Sequence, residues 1–137
     1  MIIQRRSRAA HVPSDSLLRR WAREALKRPA EVTLRIVAAT EARRLNREFR
    51  GKDYATNVLT FVYADAPLAG DIVLCAPVVA REAREQGKAV RDHWAHLVVH
   101  GLLHLQGHDH ERRPEAERME NLERRILRGL GIADPYA

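Results

Sequence analysis

The chain has 137 residues, of which 45% are hydrophobic and 31% are charged, as in an ordinary soluble domain. We therefore treat residues 1–137 as a single domain. A net charge of +6 favours polyanionic partners such as RNA, but the same charge also serves solubility alone. One cysteine excludes an intramolecular disulfide and indicates a reducing compartment. No apolar run approaches the roughly 20 residues that span a bilayer, and no secretory signal is recognisable, so we expect a cytoplasmic protein without membrane contact.

The first half of the chain alternates strand and helix patterns. Residues 1–5 form a candidate strand, and Ser14 caps a helix that Pro29 stops. Apolar and polar residues then alternate over 32–36, which predicts a half-buried strand. A second helix is predicted over 40–50, where a glycine follows and breaks it.

Two strands and three helices are predicted in the second half. Strand patterns over 56–63 and 71–75 are separated by seven residues, which contain Pro67 and Gly70 and are predicted to form a turn. Seven residues are too few for a crossover helix, so we expect antiparallel neighbours. Pro77 fits the first turn of a third helix, and Pro114 opens a fifth. Residues 89–106 form the fourth, which is apolar on nearly all sides and is therefore expected to be buried. The order βαβαββααα predicts an α+β or mixed-sheet domain whose helices cover the sheet.

Histidines concentrate in the fourth helix and the turn after it, since six of the seven lie within residues 93–110. His100 and His104 are four residues apart, so they project from one face of a helix. A single metal ion could therefore bind both rings. Gly107 then allows the chain to reverse, which can bring His110 or His108 to the same ion. Three neutral imidazoles with one open position are typical of a catalytic zinc site.

The alternative is a polar edge on a core helix, with each ring hydrogen-bonded to a neighbour. Each unsatisfied group in such a buried pair would cost on the order of 1–3 kcal/mol, and a shared metal removes that cost, so we prefer the metal site. Zinc proteases place a glutamate directly after the first histidine, but Gly101 holds that position here. Asp109 either orients a ligand ring or stabilises the turn, and the sequence leaves these two readings equal.

These residues resemble the signature of a known family. The string His-Gly-Leu-Leu-His-Leu-Gln-Gly-His-Asp-His at 100–110 is similar to that of the YbeY family of single-strand-specific endoribonucleases. Further blocks fit the family in the same order, at residues 49–61, 70–72, 93–96 and 134–136. The similarity runs from about residue 32 to the C-terminus.

The resemblance implies one zinc ion held by His100, His104 and His110 at the end of the buried helix, with Arg50 and His100 in catalysis. It implies a mixed four-stranded sheet covered by about five helices. The implied activity is zinc-dependent cleavage of single-stranded RNA, in maturation of the 3′ end of 16S ribosomal RNA and in ribosome quality control. The implied partners are small-subunit ribosomal RNA, small-subunit ribosomal proteins and a ribosome-associated GTPase.

The surroundings of the predicted site leave alternatives open. His108 stands where the family often has tyrosine, and it either competes with His110 as a ligand or packs against the site, of which we favour packing. His96 is also expected nearby. The planar guanidinium of Arg50 suits two phosphate oxygens, although from the residues alone a surface arginine at a helix end is the simpler interpretation.

Four basic residues close to Arg50 could continue a track for the RNA backbone: Arg43, Arg44, Arg47 and Lys52. Because the chain has only two Phe, two Trp and three Tyr, we expect phosphate contacts to outweigh base stacking.

Two other functions stay open at this stage. The first is a zinc hydrolase of another substrate, which the missing glutamate and the basic surface argue against. The second is a non-catalytic ribosome assembly factor whose metal stabilises the fold. A closed site with His108 as a fourth ligand would favour the assembly factor.

Overall fold

The computed structural model describes residues 1–108 and 112–137, so the predicted ligand His110 and its neighbour Asp109 lie outside the described residues. Within these two ranges, four strands and five helices follow one another in the predicted order. The strands are β1 (Ile2–Arg5), β2 (Ala30–Val37), β3 (Val58–Asp65) and β4 (Leu68–Cys75). The helices are α1 (Asp15–Ala25), α2 (Ala39–Arg50), α3 (Ala76–Glu85), α4 (Val90–Leu105) and α5 (Arg113–Gly129).

The strands of the described ranges form one mixed sheet in the order β1-β2-β4-β3. β1 and β4 both run parallel to β2, whereas β3 is antiparallel to β4. The chain passes from β2 to its parallel neighbour β4 through α2 and β3, and the antiparallel pairing of β3 with β4 makes the sheet mixed. This confirms the predicted fold class, a mixed sheet with helices packed around it.

The β3–β4 hairpin is tighter than the sequence pattern predicts. Only Ala66 and Pro67 separate the two strands, in place of seven residues. The glycine that suggests a turn, Gly70, lies within β4, where a β-carbon would come to 2.4 Å from the backbone oxygen of Phe61. The glycine is therefore required by a close approach between neighbouring elements and not by a turn.

The main core lies between one face of the sheet and α4. Apolar side chains of β2 and β4 pack there with α1, α4 and α5, and four of them are fully buried: Leu34, Ile36, Ile72 and Leu74. A smaller cluster on the opposite face joins the sheet to α2 and α3. α4 is buried on nearly every side, as predicted. In the part of the chain that the structure describes, no helix combines the length and apolar character that crossing a membrane requires.

Candidate metal centre and active site

The histidines of α4 form a stripe along one side of an otherwise apolar helix. His93, His96, His100 and His104 follow one another at spacings of three or four residues, which is the helical repeat. His93 is buried and the other three are half-buried. The two predicted ligands of this helix, His100 and His104, both line a cleft of about 370 Å³.

Hydrogen bonds orient the rings of both predicted ligands through the same nitrogen. Nδ1 of His100 lies 2.6 Å from Oε1 of Glu123, and Nδ1 of His104 lies 3.0 Å from the backbone oxygen of His108. Because a carbonyl oxygen only accepts, Nδ1 of His104 is the donor, and a neutral ring then carries its lone pair on Nε2. A histidine held in this way, with a carboxylate or carbonyl behind it, is typical of metal ligands.

Glu123 of α5 is a site residue that the sequence reasoning missed. Its carboxylate is fully buried and contacts His100, His96 at 3.5 Å and the hydroxyl of Tyr136, which donates to Oε2. A signal was present, because Glu123 lies on the buried stripe of α5 with Met119, Ile126 and Leu127. A glutamate on such a stripe requires buried partners.

The electrostatics of this cluster keep Glu123 ionised. Burial by itself would raise the pKa of Glu123, but hydrogen bonds from His100, His96 and Tyr136 outweigh it and lower the pKa to about 2. Burial and the adjacent Glu123 both raise the pKa of Tyr136, so its hydroxyl stays protonated and donates. Tyr136, close to the C-terminus, therefore contacts the histidine cluster as a neutral hydrogen-bond donor to Glu123.

These groups could hold a metal ion. One donor atom from each of His96, His100 and Glu123 lies within 4.8 Å of the others. The geometry is therefore compatible with a metal at this side of α4, the helix on which the sequence predicts it. It does not distinguish among metals, because imidazole and carboxylate suit several divalent ions.

Arg50 lies at the same cleft as His100 and His104, although it is far from both along the chain. Its Nη2 donates to the backbone oxygen of Thr60 at 2.7 Å, and Nη1 donates to that of Phe49 at 3.1 Å. The guanidinium carbon also lies 4.9 Å from the centroid of the Phe61 ring. These contacts hold the side chain in place at the cleft, and the residue remains exposed to solvent.

The other predicted basic residues divide into two groups. Lys52 lines the cleft together with Arg50.

The other three arginines form ion pairs. Arg43 makes a two-pronged contact with Asp53, at 2.8 and 3.0 Å, and Arg47 lies 3.9 Å from the same carboxylate. The hydrogen bond from Arg43 lowers the pKa of Asp53. Arg44 lies 3.8 Å from Glu48. The three arginines are thus partly neutralised within their own segment, and none of them lines the cleft.

Gly101 faces the sheet and not the cleft. A β-carbon at this position would lie 3.0 Å from Cγ2 of Ile72, so α4 approaches β4 closely here. A carboxylate placed directly after His100, as in zinc proteases, would point into the core of this fold. The packing of α4 therefore explains why the protease pattern is absent.

Comparison with known proteins identifies the family. A family model described as Endoribonuclease YbeY matches residues 3–131. The chain belongs to the endoribonuclease YbeY family. Among its YbeY relatives, a protein named Endoribonuclease YbeY from Aromatoleum aromaticum is 63% identical, over 93% of this chain and 84% of the relative. The protein of the same name from Nitrosomonas eutropha is 53% identical, over 99% of this chain and 97% of the relative.

The fold is also found among solved structures. The solution structure of a Thermotoga maritima protein matches with a TM-score of 0.56 over 98% of each chain, at 24% sequence identity. At this level of identity the match supports the fold alone. For this YbeY family member, the fold and the family resemblance identified from the sequence are both confirmed.

Proposed function

We propose that this chain is a zinc-dependent endoribonuclease that hydrolyses single-stranded RNA within one domain, residues 1–137. The observation that carries the proposal is the position of Arg50 at the cleft that His100 and His104 line. The proposal is supported by a guanidinium and two oriented imidazoles lining one cleft, in a chain whose relatives are named endoribonucleases. His100, His104 and His110 would hold the metal, and His110 enters this set from the family resemblance.

Imidazole nitrogens, which His100 and His104 offer, are ligands that zinc prefers, and the distance between His100 and Glu123 indicates that Glu123 is not a further ligand. Two atoms bound to one tetrahedral zinc at about 2.0–2.1 Å lie about 3.3 Å apart. The 2.6 Å separation between Glu123 and Nδ1 of His100 is shorter than that and is the length of a hydrogen bond. Glu123 thus supports His100 from behind, and Nε2 is the nitrogen that would bind the metal. When bound, zinc would supply Lewis-acid chemistry at a phosphoryl oxygen and activation of water near neutral pH.

The protein's own residues provide the rest of the chemistry. The guanidinium of Arg50 binds two non-bridging oxygens of the scissile phosphate and stabilises the charge that develops on them. Lys52 lies at the same cleft and binds a neighbouring phosphate as a point charge. Glu123 stays ionised and keeps the His100 ring in one orientation and one tautomer. His96 and Tyr136 hold Glu123 in place from the other side.

We extend the proposal to maturation of the 3′ end of 16S ribosomal RNA and to ribosome quality control in the cytoplasm. The partners would be the small-subunit ribosomal RNA and proteins and a ribosome-associated GTPase. The support for this extension is the family resemblance and the net positive charge. Asp109 is kept as a proposed neighbour of the site, and His108 is proposed to pack against it. We also keep the proposed track for the RNA backbone, which is formed by Arg43, Arg44, Arg47 and Lys52.

The test is cleavage of matched single-stranded and double-stranded RNA by the purified chain, with and without a chelator, alongside a metal analysis. We expect cleavage of the single strand only, about one zinc per chain, and loss of both on chelation. A matched Arg50→Ala preparation controls for contaminating nuclease. Full zinc content with no cleavage of any RNA would favour the non-catalytic assembly factor. Cleavage of a peptide substrate would favour another hydrolase.

A further inference from the structure

A second depression adjoins the catalytic cleft, and we name it the aromatic groove. It has a volume of about 520 Å³ and lies between α2 and the β3 edge of the sheet. Its walls carry three aromatic rings, Phe49, Phe61 and Tyr63. Arg50 lines both the aromatic groove and the cleft that contains His100, so the two depressions meet at this side chain.

The rings of the groove are exposed to an unusual extent. Phe49 is 58% exposed and Tyr63 is 68% exposed. Phe49 contacts Phe61 edge-to-face at a centroid distance of 5.5 Å, and both residues line the groove. Neighbouring exposed aromatic residues on a folded domain are typical of a binding surface. The chain has few aromatic residues, but the fold gathers three of them beside the cleft.

A β-bulge contributes to this arrangement. In the pairing of β3 with β4, Val62 lies opposite Gly70 and Ala64 lies opposite Ala69, so Tyr63 is the extra residue. Bulges redirect side chains and are common beside functional sites. The hydroxyl of Tyr63 donates to Asp71 at 2.6 Å, which holds the ring along the wall of the groove.

The charges in the groove select against a phosphate. Two arginines, Arg35 and Arg50, are balanced by two carboxylates, Glu41 and Asp71. Arg35 is engaged by Glu41 through two contacts, at 2.5 and 3.1 Å. The groove therefore lacks the excess of positive charge that a phosphate needs. It offers instead exposed ring faces, which are suited to the face of a nucleobase.

We propose that the aromatic groove binds an unstacked nucleobase of the RNA strand, next to the phosphate that Arg50 holds. The proposal rests on the proposed function and adds a subsite to it. Phe49 and Tyr63 supply stacking faces for the base. Arg50 lines both the groove and the cleft, so the phosphate that it binds is adjacent to this base. Stacking is tolerant of sequence because every base has a π-face, so the groove selects for unpaired bases and not for a particular base.

The first experiment measures binding by the full zinc-loaded chain using fluorescence anisotropy. Two single strands of equal length and charge are compared, one of DNA with its bases and one abasic. DNA carries nucleobases and phosphates but is not the proposed substrate, and gel analysis of the strand after the measurement verifies that it was bound and not cleaved. We expect the wild type to prefer the base-containing strand by about five- to tenfold or more, the scale of one stacked base.

The variants then separate stacking from simple apolar contact. Phe49→Ala should lose most of the preference for bases, Phe49→Tyr should keep it, and Phe49→Leu should behave like Phe49→Ala because leucine lacks a π-face. Phe49 is on the surface of α2, so these changes leave the core intact. Ile2→Ala is the matched control, an exposed apolar residue on the opposite edge strand that should change nothing.

Three results of the binding and sedimentation measurements would overturn the subsite. They are equal affinity of the wild type for both strands, a Phe49→Leu variant that behaves like the wild type, and a change of sedimentation in Phe49→Ala that reveals a second copy in the groove. The proposed function is measured separately by cleavage of single-stranded RNA. If the wild type cleaves single-stranded RNA and Phe49→Ala does so with the same KM, the subsite is refuted and the proposed nuclease activity is retained. Absence of wild-type cleavage would remove the nuclease itself.

Discussion

The substitution Glu123→Gln tests the buried carboxylate behind the proposed ligand His100. Gln keeps the size and one acceptor oxygen but removes the charge. Glu123 accepts close hydrogen bonds from His100 and Tyr136 and is fully buried, so solvent cannot replace what is lost. A hydrogen bond to a charged group contributes about 1.5–3 kcal/mol and a neutral one about 0.5–1.5 kcal/mol. Each of the two bonds therefore weakens by about 1 kcal/mol.

The expected loss of unfolding free energy is about 2 kcal/mol, which in a domain of this size lowers Tm by about 8 °C. Zinc affinity should fall about 10- to 100-fold, the usual effect of losing the group that orients a histidine ligand. Thermal unfolding followed by circular dichroism measures the first effect. Titration against a chelating dye of known affinity measures the second.

Glu117→Gln is the matched control, because it makes the same change on the same helix at an exposed position 3.7 Å from Arg113. We expect it to change stability by less than about 0.5 kcal/mol and to leave the metal affinity unchanged. If Glu123→Gln kept both the Tm and the zinc affinity of the wild type, the carboxylate would not support His100 and our account of the cluster would be wrong.

Three further predictions concern the cleft and the sheet. Arg50→Ala should retain zinc yet lower RNA cleavage by about 100-fold, and Arg50→Lys should not restore it, because lysine lacks the planar fork; unchanged cleavage would remove Arg50 from the site. His104→Ala should lose zinc, measured by elemental analysis, and should melt at a lower temperature, and normal metal stoichiometry would refute its role as a ligand. Gly70→Ala should destabilise the fold by at least about 2 kcal/mol in urea unfolding, because its β-carbon would lie 2.7 Å from Leu105 and closer still to a strand carbonyl. Gly129→Ala is the control, because the added carbon meets nothing within 4 Å, and it should stabilise α5 by up to about 1 kcal/mol. Equal effects of the two substitutions, Gly70→Ala and Gly129→Ala, would contradict the close packing of β4.

Much of the fold could be predicted from the sequence because its signals are local. The hydroxyl of Ser14 accepts from the amide of Leu17, as expected of a helix cap, and prolines open α3 and α5. The limits of the prediction appear at the hairpin. Glycine is common in turns, but Gly70 lies in a strand. Its role depends on the approach of Phe61 and Leu105, which a local pattern does not contain.

The candidate site divides in the same way. The sequence by itself determined that His100 and His104 share a helix face, since a separation of four residues is one turn wherever the helix packs. Only the tertiary structure brought Glu123 behind His100, from 23 residues away, and added Tyr136 beside it. Only the tertiary structure also brought Arg50 to the same cleft as His100 and His104 and gathered the rings of the aromatic groove beside it. These contacts come from packing helices onto a sheet, which joins residues that no sequence period relates.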